Sequence, residues 1–312
     1  MDKGAERTDR WGRIYKRRQA EYITEFPSLL DYYSFVFHFP GLLGGPNTFY
    51  REYIEVMNNV RYPDGKLPSS RIPHVLKTLL FGWVNFAVYI IGSIYLPVSY
   101  LVSEEYGQRS LLARLWIMYV TLLGVRFRYY GLWKLGESLC VLDGFGEEAN
   151  GEWNGISNVD ILGFETSTSM SVATHVWNKR TQKWLQMCIY ERTNFNQFAV
   201  FMVSAFWHGF YPAYYFCFIL GSVLQYANHQ SYRKLWPRVK DTKWEWLYCR
   251  VGNVFVMIVG SFMFGAMNNY SFQQAWLGWK RASFVGVIGT ILAAVILTLI
   301  PYPPKDTKAK KE

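Results

Sequence analysis

Long apolar runs separated by short charged connections organise this chain. A helix that crosses the ~30 Å hydrocarbon core of a bilayer needs ~20 mostly apolar residues. His74–Tyr100, Leu111–Trp133, Leu247–Ala266 and Ser283–Pro301 each meet that requirement. Phe195–Ala227 is apolar throughout and too long for one upright helix; Gly209 and Pro212 interrupt it, which predicts two helices or one broken helix. The pattern therefore predicts an all-α polytopic membrane protein with five or six spans.

Two further apolar stretches do not read as crossings. Ser28–Pro46 is broken by Asp31, His38 and Pro40 and ends in Gly44-Gly45-Pro46, the pattern of a re-entrant or interfacial helix. Val172–Arg192 mixes Trp177, Trp184, Leu185, Ile189 and Tyr190 with Lys179, Arg180, Lys183 and Arg192, and predicts an amphipathic helix lying at the interface. Between Asp143 and Glu165 the sequence is rich in Gly, Asn and acidic residues and predicts a loop.

Composition agrees with this partition. Hydrophobic residues make up 51% of the 312 residues and aromatic residues 19%, a balance that suits a polytopic protein better than two soluble domains. The charge of +10 sits largely at the ends: seven Lys and Arg residues lie between Met1 and Arg18, and Lys305, Lys308, Lys310 and Lys311 lie in the tail. Basic flanks mark the cytosolic side of apolar spans, so both termini are expected in the cytosol and the number of crossings even. With the basic residues in membrane-flanking segments, nucleic-acid binding is not expected. No apolar h-region precedes the first long run, so an internal span is expected to direct insertion. Cys140, Cys188, Cys217 and Cys249 are widely spaced, with no CxxC and no His at ligand spacing; they read as core residues, and neither a zinc site nor a disulfide framework is expected.

Ionisable residues within apolar runs are costly, which makes each a candidate for function. His208, in SAFWHGFYPAYYFCF, is the foremost. Far from any charge in sequence it is expected neutral, the species a general base needs, although a core histidine satisfied by a neighbouring helix fits the residues equally well. Asn178, after Trp177, reads either as a hydrogen-bond partner of a histidine or a substrate carbonyl, or as a helix N-cap. Arg126, Arg128, Tyr129 and Tyr130 with Glu137 close an apolar span; they fit a snorkelling, aromatic-belted helix end, or a patch for a phosphate or CoA group. No GxSxG elbow, Walker loop or HExxH motif offers a rival set.

The order RFRYYGLWKLGES, then the acidic loop, then VWNKRTQKWLQMCIYER, then SAFWHGFYPAYY resembles the lysophospholipid-acyltransferase branch of the membrane-bound O-acyltransferase (MBOAT) family. PSLLDYYSFVFHFPGLLGGPNTFYREY is similar to that branch too, so the likeness runs from about Pro27 to the last span. It implies a helical bundle with re-entrant or interfacial helices around an intramembrane tunnel, made by residues 27–302 between a basic segment (1–26) and a basic tail (303–312). Members of the branch usually carry additional spans upstream of the PSLLDYY-like segment, and these are expected to be missing from this chain. The resemblance also implies that His208 matches the family's membrane histidine and Asn178 its second signature polar residue. Trp177, Trp207 and Tyr211, beside them in sequence, join Arg126, Arg128, Tyr129, Tyr130 and Glu137 as expected substrate-binding residues.

The implied reaction moves a fatty acyl group from acyl-CoA, as co-substrate and with no cofactor or metal, to a lysophospholipid. Another acceptor on the same fold (a sterol, a diacylglycerol or a protein) and an inactive scaffold retaining the motifs are the alternatives. Lysines third and fifth from the C-terminus resemble a di-lysine retrieval signal of endoplasmic-reticulum membrane proteins, and equally a basic tail drawn to anionic lipids.

Overall fold

The computed structural model describes residues 10–304 except 24, 43, 269 and 270. Residues 1–9 and the tail from 305, on which the terminal-topology and retrieval-signal readings rest, lie outside the described residues. Among the described residues every regular element is helical. The short early helices are α1 (Arg10–Ala20), α2 (Leu29–Val36), α3 (Phe39–Leu42) and α4 (Tyr50–Met57). The long α5 (Arg71–Tyr95) follows, then α6 (Glu104–Gln108) and α7 (Leu111–Leu142). After the acidic loop come α8 (Ile161–Glu165), α9 (Met170–Val176) and α10 (Lys179–Leu185), with a single π turn over Gln186–Tyr190. The remainder is α11 (Gln197–His208), α12 (Pro212–Lys234), α13 (Trp236–Val239), α14 (Glu245–Met267), α15 (Phe272–Arg281) and α16 (Val285–Leu299).

Among the described residues, two segments can cross a membrane by length and apolar composition, Arg71–Val102 and Glu245–Met267, and a third if α15 and α16, bent by 75° at their junction, count as one span. This is fewer than the five or six spans expected. α7 has the length, but Arg114, Arg126, Arg128, Lys134 and Glu137 lie along it. The Phe195–Ala227 run is divided between α11 and α12, as Gly209 and Pro212 predict. Only 11% of the most apolar window of Arg71–Val102 is buried by the chain itself. Leu76, Leu80, Trp83, Ile90, Ile91 and Ile94 are exposed, and an apolar face of that extent needs a lipid solvent.

The chain divides into two compact units, with the division falling inside α5 and α7. Unit 1 holds the chain up to Ala87, Arg128–Val159 and Asn178–Cys188; unit 2 holds Val88–Phe127, Asp160–Trp177 and the chain from Ile189. In unit 1 the apolar core joins Tyr53, Val56, Tyr62, Val75, Cys140, Val141, Phe145, Trp153 and Ile156. Small residues let backbones approach there. A Cβ on Gly131 of α7 would lie 2.7 Å from the Phe86 ring of α5, and one on Gly136 would lie 2.5 Å from Gly45 Cα, the close packing that membrane helices favour.

In unit 2, α12 packs against α11, α14 and α16 and buries Cys217, Leu220, Gly221, Leu224 and Ala227. At its C-terminal end the buried Lys234 donates to the carbonyls of Leu297 and Thr298 at 2.8 and 2.9 Å. These are last-turn acceptors of α16 that would otherwise go unpaired, and a cation is favoured beside them.

The reading of Val172–Arg192 as one helix needs correction. No single amphipathic helix forms: α9 ends at Val176, Asn178 adopts the left-handed conformation, and α10 starts afresh. Period alone cannot show this break, because what permits it is a side chain twenty positions away, described below.

Candidate functional site

His208 is the last residue of α11. The helix begins at Asn196, whose side chain accepts the Ala199 N–H at 3.1 Å, a standard N-cap bond. It stops at Gly209, where φ is 122° and ψ is −175°, a region essentially reserved for glycine. Pro212 then opens α12 at a first-turn position, where its missing N–H costs nothing. The abrupt stop leaves His208 exposed, with Trp207, Phe210 and Tyr211 exposed around it.

The ring is held in a defined state. Nδ1 lies 2.7 Å from the Ser204 carbonyl oxygen, one helical turn back. A carbonyl can only accept, so Nδ1 carries the hydrogen and, in the neutral ring, Nε2 carries the lone pair. Phe218, Trp207 and Tyr214 surround the imidazole, with ring centroids 4.9, 5.0 and 5.8 Å away. Tyr211 packs edge-on to Tyr214 at 5.8 Å. The other unit 2 candidates are built into packing: Trp177 lies between Phe164, tilted against it at 4.7 Å, and Phe264, edge-on at 5.2 Å. Arg126, 1% exposed, grips Glu165 at the end of α8 with Nε at 2.7 Å and Nη2 at 2.9 Å, and donates to Ser261 of α14 at 3.3 Å.

In unit 1, Asn178 occupies the N-cap position of α10 with φ 49° and ψ 46°, yet makes no side-chain capping bond. Asparagine tolerates that conformation better than most residues. The capping is done by Asn158, itself 1% exposed. The Asn158 carbonyl accepts the Lys179 N–H at 2.8 Å, its Oδ1 accepts the Arg180 N–H at 3.1 Å, and its Nδ2 donates to Asn178 Oδ1 at 3.1 Å. Arg180 is paired with Glu52 and donates from Nε to the Asn47 carbonyl at 2.7 Å. Of the α7 candidates in this unit, Arg128 sits over the Tyr129 ring at 5.1 Å and Tyr130 is fully buried. Glu137 is buried against Lys134 Nζ at 2.8 and 3.0 Å, with His74 Nε2 3.8 Å away.

Sequence reasoning did not single out Asn158, Glu165, Lys134 or Glu52. Asn158 and Glu165 sit in or beside a stretch read as loop, where polar residues are ordinary, and their partners are 20 to 39 positions distant. Among the described residues no group of three or more His, Cys, Asp or Glu could hold a metal ion. Cys140 and Cys217 are buried, Cys188 and Cys249 partly buried, and none is in a disulfide.

The family model of the membrane-bound O-acyltransferases matches residues 13–273. The chain is 32% identical to lysophospholipid acyltransferase 6 of Drosophila melanogaster, over 74% of this chain and 35% of that protein. It is 32% identical to membrane-bound glycerophospholipid O-acyltransferase 2 of Homo sapiens, over 66% of this chain and 43% of the other. With the lysophospholipid acyltransferase of Schizosaccharomyces pombe it shares 24% identity over 88% of this chain and 59% of that one. The matched segment thus spans about a third to three fifths of the length of these relatives.

Proposed function

Since the chain belongs to the membrane-bound O-acyltransferase family, we propose that it moves a fatty acyl group from acyl-CoA to the free hydroxyl of a lysophospholipid. The names of its relatives support that acceptor, and the observation that carries the chemistry is the His208–Ser204 hydrogen bond. It presents an Nε2 lone pair, the feature a general base requires.

In this reading Nε2 of His208 takes the proton of the lysolipid hydroxyl as its oxygen bonds to the thioester carbonyl carbon. The tetrahedral intermediate collapses with cleavage of the C–S bond, and the imidazolium returns the proton to the departing CoA thiolate. The products are a diacyl phospholipid and free CoA. Asn178 stabilises the developing oxyanion or orients the acceptor. A thioester is already activated, so no covalent acyl-enzyme is required, and Cys217, the cysteine of α12, is buried with its thiol directed at the Met263 carbonyl. Acyl-CoA comes from the cytosol and the lysolipid from the bilayer of the endoplasmic reticulum.

The test is transfer of a labelled acyl group from acyl-CoA to a panel of lysophospholipids, with a sterol and a diacylglycerol beside them, in membranes containing the chain or His208→Ala. General-base catalysis contributes ~100- to 10,000-fold, so a loss of that size in the variant is expected. Transfer by inserted His208→Ala at the wild-type rate rules out the base assignment; transfer confined to a sterol or diacylglycerol rules out the acceptor.

A further inference from the structure

We propose that Asn158 is a positioning residue for Asn178, setting the rotation of its amide so that the NH2 group is turned outward for use in the reaction. The inference rests on the reading above, in which Asn178 acts at the acyl-transfer site, and decides between its two roles in favour of the hydrogen-bond donor.

One backbone group here has a polarity that cannot be reversed. The Arg180 N–H can only donate, and it lies 3.1 Å from one terminal atom of the Asn158 amide. That atom must be oxygen, so the other is the NH2 group. The NH2 group faces the Asn178 side chain at 3.1 Å. A donor there requires an acceptor opposite, which makes the facing atom of Asn178 its Oδ1; the reverse rotation would set two NH2 groups against each other, at the cost of a buried unsatisfied donor. The Asn178 Nδ2 is left over. It makes no hydrogen bond among the described residues, and the residue is half-buried. A backbone amide thereby dictates, through two side chains, which end of Asn178 is available.

The relay is rigid. Asn158 is buried, and beside it Ser157 accepts from Lys134 Nζ at 3.4 Å. Arg180 Nη1 donates to the Gly155 carbonyl at 3.4 Å, while its guanidinium holds Glu52. Donors fixed before the reaction starts need no reorganisation as negative charge grows on the thioester oxygen, the condition under which such groups are most effective. A freely rotating amide would present its carbonyl oxygen part of the time and repel that charge.

Asn158→Asp separates positioning from capping. The substitution preserves shape and keeps an oxygen for the Arg180 N–H, and aspartate is as good a helix cap as asparagine. It removes the donor and adds a negative charge at a 1% exposed position, which costs some stability, and its carboxylate draws the Asn178 NH2 inward. Asn178→Gly is the companion, because glycine accepts the left-handed conformation without strain. Both variants and their combination are assayed in membranes for kcat and for KM of acyl-CoA, with thermal unfolding in detergent as the fold control.

Asn178→Gly is expected to lower kcat ~100-fold with a melting temperature near that of the parent, and Asn158→Asp to lower kcat ~10- to 100-fold in a protein that still folds but melts lower, with KM for acyl-CoA little changed in both. The double variant should be no slower than Asn178→Gly alone. Wild-type kcat in Asn158→Asp beside an impaired Asn178→Gly overturns the positioning role and leaves the acyltransferase reading standing. Additive losses in the double variant overturn it as well. Wild-type kcat in Asn178→Gly refutes the site reading and this inference with it, as does a parent chain that transfers nothing to any acceptor.

Discussion

Glu165→Ala should destabilise the protein more than Arg126→Met, although both remove the same ion pair. The Arg126 side chain is 2% exposed and that of Glu165 is 19% exposed. Deleting the carboxylate takes the opposite charge away from a guanidinium that water cannot reach, although Ser261 still accepts from it at 3.3 Å, and breaking a buried pair in this way costs about 3–5 kcal/mol. Deleting the guanidinium leaves a carboxylate that can hydrate, and methionine refills the apolar volume; the loss is then close to that of charge-assisted hydrogen bonds, ~1.5–3 kcal/mol. The combination Arg126→Met with Glu165→Leu should recover most of the stability, since apolar replacement of a buried pair is often neutral. Equilibrium unfolding of the purified chain in detergent, followed by tryptophan fluorescence, measures all three. The reverse ranking would falsify the structural assignment. An Arg126→Met protein of parental stability but with raised KM for acyl-CoA or lysolipid would instead make Arg126 a substrate ligand.

Other perturbations probe the placement of the site. His208→Gln, which keeps size and hydrogen bonding but lacks a basic nitrogen, should lose acyl transfer nearly as fully as alanine while inserting and melting normally. Gly209→Ala meets no clash, since the new Cβ would lie 3.8 Å from the Tyr214 ring. Its cost is the positive φ of 122°, about 1–3 kcal/mol; relaxation of that strain should shift His208 and lower kcat with little change in KM. Gly136→Ala should destabilise by ~1–3 kcal/mol through overpacking against the Gly45 backbone, visible as a lower melting temperature with kcat per folded molecule retained.

Local chemistry explains why parts of this protein are legible in its sequence. The break between α11 and α12 follows from Gly209 and Pro212, one needed for a glycine-only conformation and the other suited to a helix start. His208 stands out because an ionisable group in an aromatic, uncharged run is costly unless it serves a purpose, and the histidine-to-carbonyl bond that sets its tautomer spans only one helical turn. Asn178 is harder. Its type and position suggest an N-cap, and it does sit at that position, but the capping bond belongs to Asn158.

What the sequence determined by itself is whatever depends on neighbours along the chain: an all-helical architecture, the apolar runs that call for lipid, the punctuation around His208, and the ordered motifs that resemble the acyltransferase family. Tertiary structure alone decided the long-range polar pairings: Arg126 with Glu165, Glu137 with His74, Arg180 with Glu52, and the Asn158–Asn178 relay. It also split Val172–Arg192 into separate helices and assigned α7's charges to internal partners. The physical reason is common to all of these. A buried polar group must find a partner wherever folding delivers one, and hydrophobic periodicity records which face of a helix is covered but not which distant side chain completes the bond.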